Sequence, residues 1–196
     1  MGEGLKMYDE IPPNESLGVQ VSRRGERVPE SYLSDQFHPR GRFNLEIHRK
    51  NGEIETYDIS NLVTTQGKNA ILDIMFGAAT QITAWYMGLV TTTSFTAFAA
   101  TDTAAQIGGT NGWTESTVYS GGPTRKSWSP AAASAGSISN TTVVTFSITS
   151  SDTLKGAFII SSNSGTGGKL WAEVAFPSAI AVSNGDDIKV TYTLSS

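Results

Sequence analysis

The chain has 196 residues, a net charge of −4 and a pI near 5.2, and it contains no cysteine. The missing cysteines exclude disulfides, thiolate catalysis and Cys-ligated zinc. The acidic balance excludes the domain-wide basic field that holds a phosphate backbone, so nucleic acid is not an expected partner. Charged residues make up only 16% of the chain, against about 25% in ordinary globular proteins. Ser, Thr, Asn and Gly must therefore supply much of the polar surface.

The opening Met1-Gly2-Glu3-Gly4-Leu5-Lys6 lacks the apolar run of a signal peptide. Lys6 stands where a myristoylation site wants Ser or Thr. No stretch approaches the roughly 18 apolar residues of a membrane span. The expectation is a soluble chain made in the cytoplasm, with no membrane partner.

Charge divides the chain. Residues 1–60 hold 8 of the 14 Lys and Arg and 11 of the 18 Asp and Glu. Residues 1–41 read as an extended arm: they carry Pro12-Pro13, Pro29 and Pro39, mixed charges, and no sustained apolar periodicity. Ordering each residue of such a segment costs about 1–2 kcal/mol of backbone entropy, so the arm is expected to take its order from a partner surface. Its apolar and cationic side chains, Ile11, Pro12, Pro13, Arg23, Arg24, Arg27, Tyr32, Phe37 and Arg40, are the predicted partner-binding residues.

Residues 42–196 read as a β body. Phe43, Leu45 and Ile47 alternate with polar residues, as in a half-buried strand. Asn51-Gly52 signals a hairpin, and residues 53–59 return from it. A short helix follows. Thr64 or Thr65 can cap its start and Gly77 its end, and Ile71, Ile74 and Met75 share its predicted core face, with Leu72 and Phe76 beside them. Residues 81–90 are apolar on both faces and should form a central strand. Further strands are predicted around Val144, Phe146 and Ile148, over residues 154–160, over 170–176, and through Ile188, Val190, Tyr192 and Leu194. Gly-rich residues 161–168 and Asn184-Gly185 supply turns. Residues 91–112 and 119–140 read as connections crossing between sheets. The predicted fold is all-β: an antiparallel, jelly-roll-like sandwich with one short helix and an extended N-terminal arm.

No catalytic constellation is legible. His38 and His48 have no nucleophile nearby in sequence. Gly165-Thr166-Gly167-Gly168-Lys169-Leu170 fails as a phosphate loop, because Asn163 and Leu170 occupy the positions that need Gly and Ser or Thr. Asp186-Asp187 reads as a turn with solvated carboxylates. Glu115 and Glu173 are the main acids within the body's strands, and Trp85, Trp113, Trp128 and Trp171 suit a core or an interface better than a sugar platform. No cofactor, no metal and no enzymatic activity are expected.

The run Asn61-Leu62-Val63-Thr64-Thr65-Gln66-Gly67-Lys68-Asn69-Ala70-Ile71-Leu72-Asp73 is followed by Ile82-Thr83-Ala84-Trp85-Tyr86-Met87-Gly88-Leu89. With Gly112-Trp113-Thr114-Glu115, Arg125-Lys126-Ser127-Trp128 and Val190-Thr191-Tyr192-Thr193-Leu194, it resembles small virion proteins of tailed bacteriophages, over roughly residues 55–196. The resemblance implies a head decoration or cement protein. Such a protein has a jelly-roll body, often trimeric, and sits on the capsid surface of the virion. The implied partners are the major capsid protein, held by the arm, and further copies of the chain itself. The alternative is a tail, connector or fibre component, with a glycan-binding role in host attachment as a variant of it.

Overall fold

Strict alternation of apolar and polar residues builds one sheet, and continuous apolar runs build the other. The computed structural model describes residues 20–21, 27–28, 39–108 and 112–196. Within the unit Met1–His38, strands β1 (Gln20–Val21) and β2 (Arg27–Val28) pair antiparallel. The body, Pro39–Ser196, is a second unit. In chain order it holds β3 (Arg40–His48), β4 (Ile54–Ser60), β5 (Leu62–Val63), helix α1 (Thr65–Phe76), β6 (Trp85–Thr91), β7 (Glu115–Ser116), β8 (Lys126–Trp128), β9 (Ser137–Ser139), β10 (Val144–Ser147), β11 (Asp152–Ile160), β12 (Leu170–Val182) and β13 (Asp187–Ser195).

The first sheet runs β10–β13–β3–β4, with β9 also on β13; the second runs β5–β12–β11–β6–β7, with β8 also on β6. All these ladders are antiparallel. The all-β sandwich expected from the sequence is therefore the observed fold. Its main core lies between the sheets. Phe43, Leu45 and Ile47 of β3 and Ile188, Val190 and Tyr192 of β13 face Met87, Leu89, Leu154, Ile159 and Val174 of the second sheet.

The body's first strand starts at Arg40, two residues ahead of the boundary read from the sequence. The hairpin at Gly52 forms as predicted, with φ +91° at the glycine. Strand β6 begins only at Trp85, so residues 81–84 are irregular, and β12 runs six residues beyond the expected end at Phe176. Residues 129–136 do cross between sheets, from β8 to β9. Residues 92–114 do not: they leave β6 and return to its neighbour β7 in the same sheet. Residues 92–108, with Trp113, fold over the outer face of that sheet instead, because Val90, Phe158, Ile160 and Leu170 are apolar there too.

Thr64 caps α1, accepting from the Gly67 N–H at 3.0 Å and donating to the Leu170 carbonyl at 2.6 Å. Gly67 lies against Trp171, where a β-carbon would come within 2.7 Å of the Trp171 carbonyl oxygen. The helix therefore packs through its N-terminal turns on β12. The predicted core face is only partly right: Ile71 and Ile74 are half-buried, while Leu72, Met75 and Phe76 are exposed.

One hydrogen bond links the sheets at this end: Trp171 Nε1 of β12 donates to Tyr192 Oη of β13 at 2.8 Å. Both side chains are buried, so Tyr192→Phe leaves a buried indole N–H without an acceptor. The expected loss is about 1–3 kcal/mol of unfolding free energy, read as a lower urea midpoint with an unchanged slope.

Candidate functional site

The end of the sandwich where the chain enters the body holds an apolar pocket of about 430 Å³. Arg40 opens β3 opposite Ser195, and the neighbouring Leu194 lines the pocket. The second sheet contributes three indoles. Trp85 and Trp128 are direct cross-strand partners on β6 and β8, and Trp85 meets Trp171 edge-on at 6.2 Å. Ile138 of β9 and Leu194 of β13 form the opposite wall, Ile71 of α1 closes one side, and Gln81, Ile82, Thr83 and Pro130 complete the rim. None of these ten side chains is charged. Only Trp85 among the tryptophans is half-exposed; Trp113, Trp128 and Trp171 are buried.

The predicted arm residues Ile11, Pro12, Pro13, Arg23, Arg24, Tyr32 and Phe37 lie outside the described residues. Arg27 is described only as a backbone partner of Val21 in β2. Arg40 is exposed at the start of β3. The pocket itself was not read from the sequence. The tryptophans were the available signal, but nothing local shows that Ile71, Ile138 and Leu194 meet them.

Two of the body's carboxylates, Glu115 and Asp186, are largely buried against arginines. Arg125 is fully buried and donates from Nε and Nη2 to Glu115 at 2.8 Å, and to the carbonyls of Ser162 and Gly165. It thereby anchors the Gly-rich β11–β12 turn. Burial holds the Glu115 carboxyl above its ordinary range despite that pair. Asp186 is not the solvated turn carboxylate expected from the sequence. It is buried, accepts from the Lys50 and Ser183 N–H groups at 3.0 Å, and meets Arg49 at 3.1 Å. Burial acts to raise it, but these donors outweigh burial and hold its pKa low.

Glu173 of β12 differs from both. It is 0% exposed beneath residues 92–108, and neither carboxyl oxygen is hydrogen-bonded. Burial first, and the neighbouring Asp102 carboxylate second, push its pKa up to about 9. It therefore carries its proton at neutral pH and is closed off from solvent.

Residues 62–193 match the family model described as Podophage GP4 fiber I protein gp80. The chain belongs to that family. It is thus a bacteriophage virion structural protein, as the sequence resemblance implied at that coarser level. No curated protein matches it. The gp80-matched segment contains β5 to β12, α1, most of β13, and every pocket residue except Leu194.

The buried carboxyl gives a pH test. An unfolded glutamate loses its proton near its ordinary value of 4.5, whereas folded Glu173 keeps it up to about 9. The group's stabilising effect is therefore complete below 4.5 and is lost as pH rises toward 9, at up to about 1.4 kcal/mol per pH unit. Glu173→Gln removes this dependence. Its melting-temperature gain over the native chain should grow steadily from pH 5 to pH 9; a difference that stays flat across that range contradicts the assignment.

Proposed function

We propose that this gp80-family chain is a non-catalytic component of a phage tail or fibre, built into the particle in multiple copies, with the segment before Pro39 as its attachment element. The observation that carries this reading is the match of residues 62–193 to a family whose description names a fibre protein. That description favours the fibre alternative over the head-decoration role implied by the sequence resemblance. The segment before Pro39 supports the attachment role through its composition: mixed charge, three further prolines (Pro12, Pro13 and Pro29) and few core-forming residues. Its contact side chains are Ile11, Pro12, Pro13, Arg23, Arg24, Arg27, Tyr32 and Phe37, with Arg40 at the junction. Repeating one short contact across several copies gains affinity through effective concentration.

Location and copy number test this. Labelled antibody against the body should mark tails or fibres of intact particles, with tens of copies at most per particle. Uniform labelling of the head with hundreds of copies would return the chain to the shell. A variant lacking residues 1–38 should fold, showing the native urea midpoint, yet be absent from purified particles. Its incorporation at native copy number would remove the attachment role.

A further inference from the structure

Helix α1 ends in solvent with its largest apolar side chains uncovered. Leu72 is 52% exposed, Met75 67% and Phe76 80%. Ile71, on the same helix, lines the tryptophan pocket. An apolar knob and an apolar hole thus lie side by side on one helix, and Phe76, pointing into solvent, does not fill the hole of its own chain. The sequence around both features carries little charge: residues 74–101 contain no Asp, Glu, Lys or Arg, and neither do residues 127–151, which leaves exposed Asp73 as the one ionisable residue between Leu72 and Phe76. The exposed stretch 129–136 includes the rim residue Pro130. Bringing two such faces together desolvates little charge, provided Asp73 stays at the solvent margin of the contact. An exposed apolar patch of this kind marks a contact site, and an aromatic anchor in an apolar pocket is the usual centre of one.

The occupant can be chosen by chemistry. A sugar brings a hydroxyl on nearly every carbon, yet the pocket offers only the Gln81 amide and the Thr83 hydroxyl on its rim besides indole N–H groups, and no carboxylate. Most sugar hydroxyls would be buried without partners. A phenyl ring from a second copy brings no polar group of its own into the pocket.

We propose that Phe76 of one copy seats in the pocket walled by Trp85, Trp128, Ile138 and Leu194 of the next copy, with Met75 and Leu72 packing around its rim. Knob and hole are different surfaces, so the contact is heterologous and propagates around a ring rather than joining a two-fold pair. The inference extends the reading of a multi-copy virion component. Its test uses purified protein alone, so it can fail while the location on the particle stands, and the reverse.

The full chain should elute in light-scattering chromatography as a multiple of its 20.8 kDa mass, increasing with concentration. Phe76→Asp, at a position 80% exposed, should return it to one copy without lowering its melting temperature. Because the chain has no cysteine, Phe76→Cys and Thr83→Cys, both at exposed positions, form a clean cross-linking pair. Mixed under mild oxidation, the two single variants should give a 76–83 disulfide between copies, at several times the yield of either variant alone. A native chain that stays monomeric throughout the series overturns the proposal. So does cross-linking of Phe76→Cys only to itself, which would indicate a two-fold contact. Glycan binding by the monomer that is lost on Trp85→Ala would give the pocket to another occupant, and would overturn it as well.

Discussion

The central strands of the second sheet are apolar on both faces, and most of the architecture follows from covering them. Strand β6 runs Met87-Gly88-Leu89-Val90, β11 runs Ala157-Phe158-Ile159-Ile160 and β12 runs Leu170-Trp171-Ala172, all buried. One face is covered by β3 and β13. The other needs a separate cover, and residues 92–108 with Trp113 supply it. Phe95 stacks edge-on against Phe98 at 4.9 Å, Phe98 meets Trp113 at 5.6 Å, and Trp113 tilts against Phe158 at 5.1 Å. This aromatic chain anchors a long connection that has little regular structure beyond the capped turn Ala104–Gln106. The same cover encloses Glu173, whose β12 position points it into this second layer opposite Phe158. A carboxyl there stays neutral because ionising it would place a charge in an apolar layer beside Asp102.

Polar contacts fix how the two sheets meet, one set at each end. At the far end from the pocket, Arg49 donates to the Ala181 carbonyl at 2.6 Å and pairs with both Glu55 and Asp186. This joins the β3–β4 hairpin to the β12–β13 turn. At the pocket end the Trp171–Tyr192 hydrogen bond does the corresponding task, with Phe43 against Tyr192 at 4.7 Å. Gly41 is required there, since a β-carbon would run into Asn61 and the Tyr192 hydroxyl. Indole-lined walls held apart by α1 and the 129–139 crossing leave the pocket open between these sheet ends.

Periodicity made the first sheet legible: Phe43-Leu45-Ile47 and Ile188-Val190-Tyr192 alternate, and alternation has one physical meaning in a half-buried strand. Continuous apolar runs made the centre of the second sheet legible for the same reason. What could not be read was long-range. Residues 91–112 looked like a crossing because length and Gly content describe a connection without saying which surface it covers. Met75 was assigned to the core face of α1 by helical spacing, yet the helix contacts β12 through Gly67 and Ala70 and ends free. Asp186 looked like a solvated turn residue because two of its three donors, Arg49 and Lys50, lie far away in sequence. The candidate pocket has the same character: its tryptophans were conspicuous, but their grouping with Ile71, Ile138 and Leu194 exists only once β9 is paired with β13.

The family-matched segment and the closed core are not the same set of residues. The match begins at Leu62, after β3 and β4. Yet β3 supplies Phe43, Leu45 and Ile47, all fully buried, and lies at the centre of the first sheet between β13 and β4. Without it, β13 keeps only β9 and β10 as partners, and the inner face of the second sheet loses Phe43, Leu45 and Ile47 from its cover. The matched segment therefore holds the pocket, the helix knob and the aromatic layer, while the preceding hairpin completes the fold that positions them. Because β3 also carries the chain from the N-terminal segment into the body, any load on that segment enters the molecule through the strand that closes its core. Antiparallel ladders on both sides of β3, nine paired residues with β13 and seven with β4, spread such a load over many hydrogen bonds instead of concentrating it at one.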